Sequence, residues 1–137
     1  MKCGIDLIHR SRIEDLASRR GTEYLSKIWT AQEIFDCTRK DGSLRYESLA
    51  ARFAAKEAVS KAFGTGFGRE GVRLEEIEIL ENPLGAPYVA LHGTTETFFK
   101  NSGYDKIEIS LSHDQDVCIA MCVITEKKTT GSTGEYH

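Results

Sequence analysis

The chain reads as an α+β domain built around an antiparallel sheet, and three observations predict it. Residues 106–112 alternate Ile107, Ile109 and Leu111 with Glu108, Ser110 and Ser112, the two-residue period of a half-buried strand. Residues 117–124 are apolar on both faces, as a central strand should be, and the loop His113-Asp-Gln-Asp116 joins the two as a hairpin. A long helical segment at 44–63 precedes them, and strands and helices come in groups instead of alternating strictly, which favours α+β.

The elements follow in order along the chain. Residues 2–8 form a short strand candidate. Ser11-Arg-Ile-Glu14 has capping-box spacing, in which a hydroxyl and a carboxylate satisfy each other's free amides, and predicts a helix to about Arg20. Thr30 with Glu33 repeats that spacing and predicts a helix through about Arg39. Asp41-Gly-Ser43 is a turn. The helix at 44–63 ends at Gly64, which suits a left-handed C-terminal cap. Gly64, Gly66, Gly68 and Gly71 then make an open loop. Residues 75–80 alternate Ile77 and Ile79 with Glu76 and Glu78 as a strand. Asn82-Pro-Leu-Gly85 turns the chain into a second strand at 87–91, and residues 94–100 predict a short helix. Residues 1–124 are expected as one domain, and 125–137 as a polar tail without function, His137 included.

The totals narrow the function. With 137 residues, 40% of them hydrophobic, the chain is long enough for one real core. Its net charge of -3 suggests neither a nucleic acid nor a membrane surface as partner. No apolar run approaches membrane-spanning length, and the N-terminus lacks a signal peptide's layout. Cys3, Cys37, Cys118 and Cys122 include no CxxC pair. Cys118 and Cys122, four strand residues apart, stand roughly 13 Å from each other, too far for a disulfide. Buried free thiols in a reducing cytoplasm are expected.

Some residues break the pattern in ways that carry chemistry. Leu49, Phe53 and Glu57 share one face of the long helix, and Lys61 extends the row. A carboxylate continuing an apolar row is solvated, paired or bound to a metal. A Glu57–Lys61 surface ion pair is one reading. The other is a Mg²⁺–polyphosphate site, in which Glu57 holds metal and the nearby cations Arg52 and Lys56 hold phosphate oxygens. Asp6, inside a short apolar strand, either faces water or supplies the second carboxylate. His113, after Ser110 and Ser112, is either a solvated loop residue or a phosphate contact. Arg12, Arg19 and Arg20 make the first helix basic, and the glycine loop lacks the spacing of a P-loop.

Taken together, Gly4-Ile-Asp-x5-Arg-Ile-Glu14, Phe53-Ala-Ala-Lys-Glu-Ala-x2-Lys-Ala-Phe-Gly-Thr-Gly66 and Ser110-Leu-Ser-His113 resemble the holo-acyl-carrier-protein synthases, the short 4′-phosphopantetheinyl transferases. The resemblance spans residues 4–124, and its middle motif is highly specific. It implies that family's fold, and transfer of the 4′-phosphopantetheine arm of coenzyme A to a serine of an apo-acyl carrier protein, with adenosine 3′,5′-bisphosphate released.

Residue by residue, the resemblance implies Asp6 and Glu57 as Mg²⁺ ligands and Lys61 beside the pyrophosphate. Ser112 and His113 match the segment that meets the nucleotide end of coenzyme A. Arg52 and Lys56 are expected as phosphate contacts, and Gly64, Thr65 and Gly66 as pocket lining. Arg12 and Arg19 match positions that meet the acidic helix of the carrier protein, a pairing weakened by salt. A metal-bound or carboxylate-held water is the candidate for taking the serine proton. Larger relatives fuse two similar halves, so this single half is expected to be a homotrimer with sites between subunits. The competing readings are a non-catalytic domain binding coenzyme A or an acidic partner, and an unrelated Mg²⁺ phosphohydrolase.

Overall fold

The computed structural model describes residues 1–66 and 68–128. In chain order the elements are β1 (Lys2–His9), α1 (Arg10–Arg20), α2 (Thr22–Leu25), α3 (Ala31–Asp36) and α4 (Tyr46–Phe63). They continue through a 3-10 turn (Leu74–Glu76), β2 (Ile77–Glu81), β3 (Pro87–Leu91), α5 (Gly93–Asn101), β4 (Tyr104–Asp114) and β5 (Val117–Glu126). The antiparallel three-stranded sheet has the order β1-β5-β4, and β2-β3 is a separate antiparallel hairpin. The expected α+β class, the long helix and the central place of β5 are all present. The strand β5 runs on to Glu126, past the expected boundary at Ile124, and Lys127 N–H donates to the Gly103 carbonyl at 2.8 Å. Residues 129–137 of the expected tail lie outside the described residues.

Small side chains let α4 lie directly on the sheet. Ala54, Ala55, Ala58 and Ala62 of α4 are buried, as are Cys118, Ala120 and Cys122 of β5. Gly4 is required at this contact, because a Cβ there would stand 2.1 Å from the Ala58 carbonyl oxygen. Register pairs Gly4 with Cys122 and Asp6 with Ala120, so Asp6 shares the face that meets α4.

The opposite face of the sheet is apolar and uncovered in the isolated chain: Ile5 is 61% exposed, Leu7 53% and Met121 47%. The strand β5, expected to be buried on both faces, is therefore buried on one. All four cysteines are free, but Cys3 is exposed, contrary to expectation. Burial pushes the Cys37 thiol up to about 11 and that of Cys122 to about 12.

The helix starts show where local patterns hold. Thr30 and Glu33 form the predicted capping box. That helix stops at Asp36, three residues short of expectation, and the chain turns through Cys37 and Thr38 into α4. Ser11-x-x-Glu14 forms no box, because α1 already begins at Arg10 with His9 at its N-cap. The cap comes from the β4–β5 hairpin instead. Arg10 N–H donates to the Asp116 carbonyl at 2.6 Å, and Ser11 N–H to the Asp116 carboxylate at 3.1 Å. At the far end of α4, Gly64 takes the predicted left-handed cap at φ 82°.

Candidate active site

Three of the expected residues meet where β1 crosses α4. Lys61 Nζ donates to Asp6 Oδ1 at 2.9 Å and to the Ile5 carbonyl at 3.1 Å, so the lysine reaches across to the strand and is not paired with Glu57. Among the described residues no hydrogen bond or ion pair reaches the Glu57 carboxylate. Partial burial raises its pKa above the ordinary carboxylate value, and the Asp6 charge raises it further, against the opposing pull of Lys61 and Arg12. Two acids that repel each other, one of them without a partner, are a donor set that a cation would relieve. No cluster of three or more potential metal ligands occurs among the described residues.

Glu57 stands at the edge of a cleft of about 690 Å³ between α1, α4 and the segment after the glycine loop. Its floor includes Ile13, Phe53 and Leu74; Arg12, Arg19 and Lys27 contribute positive charge at its wall. The Arg12 guanidinium lies 5.9 Å from the centre of the Phe53 ring, and Arg19 Nη2 is 3.2 Å from Asp15 Oδ2 one turn back. The lining thus combines apolar side chains with cations, and Asp15, Glu57 and Glu75 add negative charge.

Ser112 and His113 do not join that group within one chain. They line a second cleft of about 380 Å³ with Arg52, Glu47 and Glu81. His113 Nε2 lies 3.3 Å from Glu47 Oε1. Arg52 donates through Nε to the Ile79 carbonyl and through Nη2 to Glu81 Oε1, both at 3.3 Å, and its side chain is nearly buried in the wall.

One expectation needs correction. Lys56, expected on phosphate, is wholly enclosed. Its ammonium donates to Glu33 Oε1 at 2.6 Å, to the Leu74 carbonyl at 3.0 Å and to the Ile77 carbonyl at 2.6 Å. With three protons and three partners it has no donor left for a ligand. Burial pulls its pKa down, opposed by the Glu33 charge. Of residues 64–66, expected to line the pocket with backbone, Gly64 N–H donates to the Lys61 carbonyl and Gly66 N–H to the Ser60 carbonyl. Those amides finish α4, and only Thr65 retains an unassigned backbone donor there.

Sequence patterns missed Glu47, Glu81 and Asp116. Glu47 opens α4 at an ordinary N-terminal position, and Asp116 looks like any hairpin acid, so nothing local marks either one.

The chain has known relatives. A model for the 4′-phosphopantetheinyl transferase superfamily matches residues 2–122, and the chain belongs to that superfamily. Within it, the chain is 45% identical over 126 residues to the holo-[acyl-carrier-protein] synthase of Ruminiclostridium cellulolyticum, covering 91% of this chain and 92% of that protein. The crystal structure of the holo-[acyl-carrier-protein] synthase from Neisseria meningitidis superposes with a TM-score of 0.81 at 29% identity, covering 92% of this chain and 98% of that one. That of the Helicobacter pylori enzyme, in complex with coenzyme A, superposes with a TM-score of 0.78 at 31% identity, covering 90% and 99%.

Proposed function

We propose that this chain transfers the 4′-phosphopantetheine arm of coenzyme A to a serine hydroxyl of an apo-acyl carrier protein and releases adenosine 3′,5′-bisphosphate. The observation that carries this reading is the meeting of Asp6, Glu57 and Lys61 beside a cleft with an apolar floor and cations at its wall. Its similarity to holo-[acyl-carrier-protein] synthases, one of them bound to coenzyme A, supports the same substrates.

The serine oxygen attacks the phosphorus that carries pantetheine, the bridging bond to the adenosine-side phosphate breaks, and the serine proton leaves. Such a transfer needs alignment and charge neutralisation more than covalent help. Asp6 and Glu57 would hold Mg²⁺, which when bound neutralises charge on the pyrophosphate oxygens. Lys61, anchored on Asp6 and the Ile5 carbonyl, presents its ammonium beside the same phosphates and offsets charge on the departing one. A water held by a carboxylate accepts the serine proton. Ser112 and His113, with Arg52 in the wall behind them, receive the nucleotide end, and Arg12 and Arg19 receive the acidic helix of the carrier.

We further propose a homotrimer. Glu57 opens onto one cleft, and Ser112 with His113 onto another. Ile5 and Leu7, flanking Asp6, belong to the exposed apolar sheet face that a second copy would cover. In that trimer one chain's carboxylates would work with its neighbour's Ser112 and His113. The free thiols suit a reducing cytoplasm.

The test incubates the protein with coenzyme A, Mg²⁺ and an apo-carrier protein and weighs the carrier by mass spectrometry. One added phosphopantetheine per carrier is expected, and chelation should abolish it. Coenzyme A bound without any mass gain would identify a binding module; coenzyme A cleaved without a carrier would identify a hydrolase.

A further inference from the structure

We propose that Asp116 is a positioning residue that sets the carrier-docking helix α1 from the tip of the β4–β5 hairpin; this rests on the transferase reading above. The start of α1 has no side-chain cap from its own segment: His9 occupies the N-cap with no such bond. Its first free amides are met across the fold instead, by a residue 105 positions away. The Asp116 carbonyl accepts Arg10 N–H at 2.6 Å. One carboxylate oxygen accepts Ser11 N–H at 3.1 Å, and the other accepts the Ser11 hydroxyl at 3.1 Å. His9 Nδ1 and Arg10 Nε close on the same carboxylate at 3.3 and 3.5 Å. The hairpin thus performs the task that the Ser11–Glu14 spacing promised, with Ser11 turned from cap to donor.

The site consequence comes from what hangs on either side of this node. Upstream, β1 delivers Asp6 three residues before His9. Downstream, α1 carries Arg12 one residue after Ser11 and Arg19 two turns further on. The end of β4 that leads into this tip carries Ser112 and His113, and Gln115 before Asp116 takes a left-handed φ of 53°. An error of an ångström at the start of α1 is carried along the helix to the arginines that meet the carrier. Among the described residues the Asp116 carboxylate pairs with His9, Arg10 and Ser11, none of which the transferase reading assigns to coenzyme A.

The test measures KM for apo-carrier and for coenzyme A separately, with kcat and thermal midpoint, in Asp116→Ala, Asp116→Asn, Ser11→Ala and the Ser11→Ala/Asp116→Ala pair. Asp116→Ala is expected to raise carrier KM about five- to tenfold with coenzyme A KM changed less than twofold. Asp116→Asn, which keeps one acceptor, should recover part of the loss. The double variant should be no worse than Asp116→Ala, because the one bond that Ser11→Ala removes is among those Asp116→Ala removes. Equal rises in both KM values, or an unchanged carrier KM in a folded Asp116→Ala protein, would overturn the proposal. Amide exchange at Ser11 keeps this question separate from the transferase reading. Faster exchange is expected in Asp116→Ala whether or not the chain modifies a carrier, and unchanged exchange would overturn the proposed cap.

Discussion

Glu57 shows how one side chain divides stability from function. Its carboxyl is raised above the ordinary carboxylate value, chiefly by burial and then by Asp6. Between the ordinary and the raised value the folded chain therefore binds more protons than the unfolded chain, so this residue's contribution to stability falls as pH rises through that window. At neutral pH without metal, Glu57 is an acid held against its preference. Glu57→Gln should leave the metal-free thermal midpoint unchanged or higher, while lowering kcat/KM by about 10²–10³-fold. Mg²⁺ should raise the midpoint of the parent protein and not that of the variant. A variant that melts lower and still transfers would assign Glu57 to the framework. Protons and metal compete for the same carboxylate, so Mg²⁺ affinity should fall as pH drops through the raised value, which titration calorimetry at several pH values would measure.

At the scale of elements, Lys56 and Glu33 join three segments through one buried ion pair. Glu33 accepts from Lys56 and from the Thr30 and Ile79 amides, so α3, α4 and β2 share it. Lys56→Met would leave a buried carboxylate and two carbonyls without their donor, and should destabilise by about 3–5 kcal/mol. The urea midpoint would show it, with coenzyme A KM little changed in whatever protein remains folded. A large KM effect at unaltered stability would return Lys56 to the phosphate. The capping box at Thr30 was legible because its bonds lie within four residues. The destination of Lys56 was not, since its three acceptors lie 18 to 23 positions away and a lysine's reach is visible only once the helices pack. The start of α1 fails for the same reason: the spacing at Ser11 is correct, but a hairpin acid far along the chain reaches those amides first.

For the whole molecule, the division of the expected site between two clefts leads to a test of assembly. Light scattering should give three times the 15.3 kDa chain mass. Met121→Lys, on the exposed sheet face, should lower that mass and the activity together, because a charge there opposes burial. Chains carrying Glu57→Ala and chains carrying His113→Ala should each be inactive. Refolded as a mixture, they should regain up to about a quarter of parent activity, the share of sites that combine two intact halves by chance. No recovery from a mixture that does form mixed trimers would place each site within one chain. The sequence by itself determined the α+β class, nearly every strand, the long helix with its Gly64 cap, and the family through three short motifs, because periodicity, capping and motif spacing are local properties. Tertiary structure alone decided that Lys61 bonds to Asp6 and not Glu57, that Lys56 lies in the core, that Asp116 caps α1, and that His113 faces a different cleft from Glu57. Each of these depends on which distant surfaces come together, and the close seating of β1 on α4 at Gly4 is the contact that brings Asp6, Glu57 and Lys61 to one place.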